Sequence, residues 1–252
     1  NNNKEMSFFS HLGELRSRLI KSLLSVTGIF FVALGFSSEI INILEKPLKK
    51  VLPAGAEKLY FTGPLDVLFL TIKVAFISAI VIGSPIWIYQ FWKFIEPGLY
   101  PKEKKYVLPF AFATIILFFL GISFSFFIFL PYMLEFLIQM GSQIGVPIIT
   151  ITDYISMLLV FLLSFGLVFE TPVILILLGM LGIITPNFLS RKRRHVFVII
   201  LIASAVLTPT TDPISQLAMA IPMYAMFELS ILILIAMKKK REKDLVPAEG
   251  GK

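Results

Sequence analysis

The residue with the most chemical leverage in this sequence is Glu170. It lies within Phe165-Gly166-Leu167-Val168-Phe169-Glu170-Thr171-Pro172, in the middle of a long apolar stretch. An acidic group at the centre of a membrane helix costs about 2.5–3.5 kcal/mol on insertion scales, so such groups face a bundle interior or a watery cavity. Glu170 therefore reads either as a polar docking point or proton site, or as a protonated structural carboxyl bonded within the bundle. Lys73 is the other ionisable group deep in an apolar run. Its estimated depth differs from that of Glu170 by about 10 Å at 1.5 Å per residue, so it is expected to snorkel toward the outer face rather than pair with Glu170. Glu228 lies about 15 Å from Lys238 by the same rise and reads as structural.

A second set of carboxylates stands among basic residues near the ends of the apolar runs: Glu5, Glu14, Glu96 and Glu103. Carboxylates presented in this way can take guanidinium groups through bidentate hydrogen bonds. Glu14 can equally form an i,i+4 pair with Arg18, worth about 0.3–0.5 kcal/mol, and Glu103 can be a solvated charge among lysines. The sequence has no His-Glu-x-x-His, no glycine-rich phosphate loop, no Gly-x-Ser-x-Gly and no pair of aspartates in facing spans, so an intramembrane protease or a motor ATPase is not expected. Cysteine is absent, and His11 and His195 are too far apart for a local metal motif. That removes disulfides, thiolate catalysis, iron–sulfur clusters and cysteine-based zinc sites. No catalytic residue, metal or cofactor is expected.

These groups must be positioned by membrane helices. Of the 252 residues, 57% are apolar and 15% charged, against about half and a quarter in a soluble domain. At roughly 20 residues per span there is room for about six to eight crossings. Six apolar runs stand out: Leu19–Phe36, Leu65–Phe94, Tyr106–Leu130, Tyr154–Ile184, Val196–Thr208 and Ile214–Met237. Of the 23 basic residues, 18 fall in the N-terminal segment, in alternate loops and in the tail, which places both termini in the cytoplasm. The net charge of +7 is thus a topology signal and not a nucleic-acid footprint. The fifth run has 14 residues between Arg194 and Pro209, roughly 21 Å of helix against a core of about 30 Å. The sixth contains Pro222, which should kink it. Ser7–Arg18 reads as an amphipathic helix lying on the cytoplasmic surface. On the outer side, Ser38–Leu52 reads as a helical cap bent at Pro47. Residues 1–237 are expected to form one six-helix domain, with 238–252 a tail without structure.

Several segments, in order along the chain, resemble the TatC family, the polytopic core of the twin-arginine protein translocase. They are His11-Leu12-Gly13-Glu14-Leu15-Arg16-Ser17-Arg18, Phe91-Trp92-Lys93-Phe94-Ile95-Glu96-Pro97-Gly98-Leu99 with Glu103-Lys104-Lys105, the stretch around Glu170, and Leu207-Thr208-Pro209 with Asp212-Pro213 and Ala220-Ile221-Pro222-Met223-Tyr224. The resemblance implies an all-α, cup-shaped membrane protein of six helices, in the bacterial inner membrane or alternatively in thylakoids, with no cofactor. It implies a receptor for the twin-arginine signal peptides of folded precursors that works with TatA- and TatB-type single-span subunits and uses the proton motive force. Membrane lipids and further copies of the chain are the other partners to consider. By the same resemblance Glu14 and Glu103 contact the arginine pair, with Arg16, Phe94 and Leu99 in the same surface. Glu170 engages a polar group of a partner helix, while Pro47 and Asp212 shape the outer side. The stretch Thr208-Pro209-Thr210-Thr211-Asp212 has fewer prolines than many relatives. Two other readings remain: a proton-coupled transporter with Glu170 as carrier, although the short, proline-bearing spans lack counterparts in the first half, and a scaffold without a receptor face.

Overall fold

The computed structural model describes residues 8–52, 59–101, 104–142, 145, 148–208 and 212–245. Their regular structure is helical: α1 (Phe8–Gly35), α2 (Ser37–Leu44), α3 (Lys46–Val51), α4 (Pro64–Ile82), α5 (Ser84–Ile95), α6 (Val107–Phe124), α7 (Leu130–Ser142), α8 (Ile151–Val168), α9 (Thr171–Met180), α10 (Pro186–Arg191), α11 (Arg193–Leu207) and α12 (Pro213–Leu245). One isolated bridge, Tyr60 to Thr150, is the exception. Five stretches among the described residues are long and apolar enough to cross a membrane: Leu12–Gly35, Pro64–Ile82, Lys104–Gly141, Ile151–Met180 and Pro213–Lys239. The fifth expected run is helical as α11, but its 15 residues rise only about 22 Å.

Proline sets where these helices begin. Pro64, Pro186 and Pro213 open α4, α10 and α12, while Pro47, Pro85 and Pro172 stand second in α3, α5 and α9. In the first turn a missing N–H costs nothing, because that N–H has no intrahelical partner. For the turn before it, however, the ring removes a hydrogen bond and crowds a carbonyl, which favours a kink or a break. Two apolar runs read as single spans are for this reason each two helices: α4 and α5 meet at Gly83, and α8 and α9 at Phe169-Glu170. The cap bends at Glu45, ahead of Pro47 as expected. Near Pro131 the chain finds another solution. Residues Ser125–Phe129 form a π turn in which the Leu130 N–H reaches the Ser125 carbonyl, and the helix continues into α7. Pro222 lies inside α12 without interrupting it.

Two expectations are corrected at the ends of the chain. The amphipathic segment is the opening of α1 and not a separate surface helix, since α1 runs unbroken from Phe8 to Gly35. No proline interrupts it, and extending a formed helix adds a hydrogen bond for each residue fixed. The tail is likewise helical to Leu245. Its lysine, arginine and glutamate residues are good helix formers and propagate α12. Residues 246–252 lie outside the described residues.

The chain packs as two compact units, Asn1–Leu163 and Ser164–Lys252. In the first, α1 lies along α4 and α5, and α5 along α6. Gly83 permits the close approach of α1: a Cβ there would sit 3.2 Å from Ile29 Cδ1 and 2.7 Å from the Ala79 carbonyl oxygen. In the second, Leu189, Ile200, Ala220, Phe227, Ile231 and Leu234 form the core joining α10, α11 and α12. α9 joins them where Gly179 meets Leu234.

Candidate functional site

The register of α1 against α5 decides which charged groups meet. Gly83 faces Val26 and Ile29, while Gln90, seven residues later, accepts a 3.0 Å hydrogen bond from Arg18. Rising numbers on α5 thus meet falling numbers on α1, and the two helices are antiparallel. Glu14, one turn before Arg18, is level with the turn of α5 after Gln90, which carries Lys93 and Phe94. On α1 the partly covered positions Glu14, Arg18, Ser22, Val26 and Ile29 follow at three- and four-residue steps, so they form one stripe facing α4 and α5. The stripe is apolar deep in the bundle and charged at its N-terminal end.

At that end Arg18 joins two helices. Its second terminal nitrogen lies 3.3 Å from Glu14 Oε1, and both side chains remain about a quarter exposed. The i,i+4 pair weighed from spacing alone is therefore present, with a tether to Gln90 that spacing could not show. α5 is itself held on its other side: Trp92 donates through Nε1 to Thr114 Oγ1 at 3.1 Å and stacks on Phe110 at 5.4 Å. Trp87 donates to the Ile80 carbonyl at 3.0 Å, at the α4–α5 break. In the resulting frame two indoles tie α5 to its neighbours, and Gln90 of α5 ties Arg18 to α5.

The remaining expected residues divide. Phe94 is half-buried on the α5 face next to this frame. Arg16 is exposed and, two residues from both Glu14 and Arg18, points to another side of α1. Leu99 is buried, with its N–H on the Glu96 carbonyl. Glu96 pairs with Lys93 at 2.8 Å. Glu103 lies outside the described residues. In the second unit, Glu170 is buried at the start of α9, where its carbonyl accepts from the Ile174 N–H. Lys73 turns to Ser156 at 2.8 Å. Pro47 is buried in the bent cap. That cap is tied to α8 by Tyr154, whose hydroxyl donates to the Leu44 carbonyl at 2.8 Å. Asp212 caps α12, accepting from the Ser215 N–H at 2.7 Å. The Asp-Pro pair preceding an apolar helix was a legible capping signal.

Sequence reasoning missed one polar cluster in the second unit. Arg193 at the start of α11 pairs with Glu228 at 2.8 Å, and Tyr224 donates to the other carboxylate oxygen at 2.9 Å. Phe197 packs edge-on to Tyr224, and Gln216 donates to the Leu201 carbonyl at 2.9 Å. Together these contacts set α11 antiparallel to α12.

Residues 10–222 match the model of the family described as Sec-independent protein translocase protein (TatC). The chain belongs to the TatC family. It is similar to the Sec-independent protein translocase protein TatC of Carboxydothermus hydrogenoformans, at 39% identity over 94% of this chain and 96% of the relative. To the TatC of Aquifex aeolicus it is 37% identical over 94% and 98% of the two chains. Among solved structures it resembles a twin-arginine translocase receptor, TatC, crystallised in DDM: 36% identity, TM-score 0.80, covering 89% of this chain and 99% of the other. The TatC match includes Glu14, Arg18, Gln90, Glu170 and Asp212, so the frame and the buried carboxyl lie within the shared architecture. With these relatives and its apolar helices, the chain is a membrane protein of the Sec-independent translocase.

Proposed function

We propose that this chain binds the twin-arginine signal peptides of folded precursors on the face shared by α1, α5 and the loop that follows, as the receptor subunit of the translocase. The observation that carries this reading is Glu14: a partly exposed carboxylate that meets an arginine which Gln90 holds in place. A guanidinium pair arriving there finds an acceptor already in use for a guanidinium. In this reading Glu103 supplies the second carboxylate, and Arg16, Phe94 and Leu99 belong to the same binding surface. Losing one charge-assisted contact costs about 1.5–3 kcal/mol, ten- to a hundredfold in affinity.

The same reading gives six spans with both termini in the cytoplasm of a bacterial inner membrane, and transport rather than catalysis. TatA- and TatB-type single-span subunits are the partners, the proton motive force is the energy source, and Glu170 meets a polar group of a partner helix. Pro47 and Asp212 act through the backbone on the outer side, by bending the cap and by starting α12.

The test is binding of a twin-arginine peptide to the purified protein against its twin-lysine counterpart. Lysine keeps the charge and loses the planar fork. A preference for arginine that disappears in Glu14→Ala and Glu103→Ala is the expected result. Equal binding of both peptides would sink the proposal.

A further inference from the structure

Two neighbouring arginines at the start of α11 face different ways. Arg193 turns inward, where Glu228 holds it at 2.8 Å. It heads a line of residues at three- and four-residue steps, Phe197, Ile200 and Ser204, that runs down the packed side of the helix. Arg194 lies about 100° further round and is exposed. After it, at four-residue steps, come Val198, Ile202 and Val206, with His195 and Ile199 alongside, and all of these are exposed. α11 thus carries an outer stripe that is cationic in its first turn and apolar from there to its end.

The corner between α10 and α11 adds to the charge of that first turn. Lys192 donates its N–H to the Phe188 and Leu189 carbonyls at 3.2 and 3.0 Å, and its own carbonyl accepts from the His195 and Val196 N–H groups at 2.9 and 3.0 Å. These bonds hold Arg191, Lys192 and Arg194 close together, and all three are exposed. Among the described residues none of the three forms an ion pair. The acid that meets α11, Glu228, already has both oxygens engaged, by Arg193 and by Tyr224. Three like charges at this spacing repel one another and gain by sharing an anion.

We propose that the outer face of α11 is a binding site for an anionic phospholipid, with Arg191, Lys192 and Arg194 on the headgroup phosphate and an acyl chain along Val198, Ile199 and Ile202. A guanidinium takes phosphate oxygens two at a time through its planar fork, and clustered basic side chains beside membrane helices are a recognised setting for acidic headgroups. What selects a lipid is that the cationic and apolar parts are continuous on one helix face. A free phosphate or a water-soluble acidic peptide would answer the cations and leave the stripe bare. A zwitterionic lipid would cover the stripe but bring its own cation to the basic turn. An anionic lipid answers both. The site uses no residue of the proposed receptor face around Glu14, so the two readings stand or fall separately.

The sequence has no cysteine, so Ile202→Cys takes a single fluorescent label on the stripe. Phe112→Cys, at an exposed position of α6, takes the same label as a control. The full-length protein is placed in phosphatidylcholine vesicles, and lipids with brominated chains, which quench on contact, are titrated in. At position 202 brominated phosphatidylglycerol should compete about tenfold better than brominated phosphatidylcholine, and at position 112 the two should be equal. The preference should disappear in Arg191→Gln/Arg194→Gln, persist in Arg191→Lys/Arg194→Lys, and persist in Lys238→Gln/Lys239→Gln, which removes the same charge elsewhere. Equal quenching by both lipids at position 202, or a preference that survives Arg191→Gln/Arg194→Gln, overturns the proposal. So does an equal preference at position 112 or its loss in the tail variant, either of which would reduce the effect to net charge. Displacement of the brominated lipid by millimolar inorganic phosphate or by a soluble polyglutamate peptide would assign the basic turn to a free anion or to an acidic protein, and overturns it as well. The lysine pair, with the same elution profile as the parent, separates a lost site from a lost fold.

Discussion

Two carboxylates in this molecule each meet an arginine, with different consequences. Glu14 meets Arg18 four residues away on the same helix, through one oxygen at 3.3 Å. Glu228 meets Arg193 from another helix at 2.8 Å, and its second oxygen is taken by Tyr224. The first pair forms wherever α1 is helical and fixes nothing beyond it; what ties Arg18 to α5 is the neutral Gln90. The second closes a contact between residues 35 positions apart and sets the register of α11 on α12. The same pairing thus leaves one carboxylate open to exchange and commits the other to the fold.

Four substitutions test that distinction. Glu14→Ala should lower twin-arginine peptide affinity ten- to a hundredfold, the value of about 1.5–3 kcal/mol. Its unfolding midpoint in detergent should barely move, because the pair it loses contributes only about 0.3–0.5 kcal/mol. Glu228→Gln should do the reverse. It leaves peptide affinity within twofold and lowers stability by about 1–2 kcal/mol, read as a drop in the thermal midpoint. Gln90→Leu removes the tether but leaves the carboxylate, so peptide affinity should fall by about threefold, measured by the same titration. Arg18→Gln is the smallest and the most pointed. With no internal guanidinium on Glu14, affinity should rise by about twofold, the strength of the i,i+4 pair. A fall instead would make Arg18 part of the binding surface and erase the contrast with Glu228.

Hydropathy shows where apolar helix lies but not where it stops. The runs around 65–94 and 154–184 read as single spans, yet Ser84-Pro85 and Thr171-Pro172 each carried the signal of a new helix start. The bend at Pro47 was read from the same signal because it fell in a shorter, amphipathic segment. Within the site, the four-residue spacing of Glu14 and Arg18 was visible in the sequence. Gln90 was not, since a long-range contact depends on the register that Gly83 permits. Arg193 and Glu228 were hidden for the same reason. The contact of Lys73 with Ser156 on α8 was hidden too, because it depends on how α4 and α8 are set side by side. Asp212 was named only through the family resemblance, although its local chemistry, an aspartate before Pro213, already pointed to a helix cap.

The π turn at Ser125–Phe129 works as a phase shifter in the helical stretch Lys104–Gly141, 38 residues long. Upstream, the buried positions are Val107, Ala111, Thr114, Phe118, Gly121 and Ser125; downstream they are Phe129, Leu130, Met133 and Leu134. One residue of α-helix is about 100° of rotation, and the wide turn absorbs one. Deleting a single residue from 125–129 would restore an ordinary hydrogen-bond ladder and leave the lower half in place. The upper half would turn like a misset clock hand, carrying Met133 and Leu134 away from α3. A change that improves the backbone locally would thus mis-time the far end of the same rod.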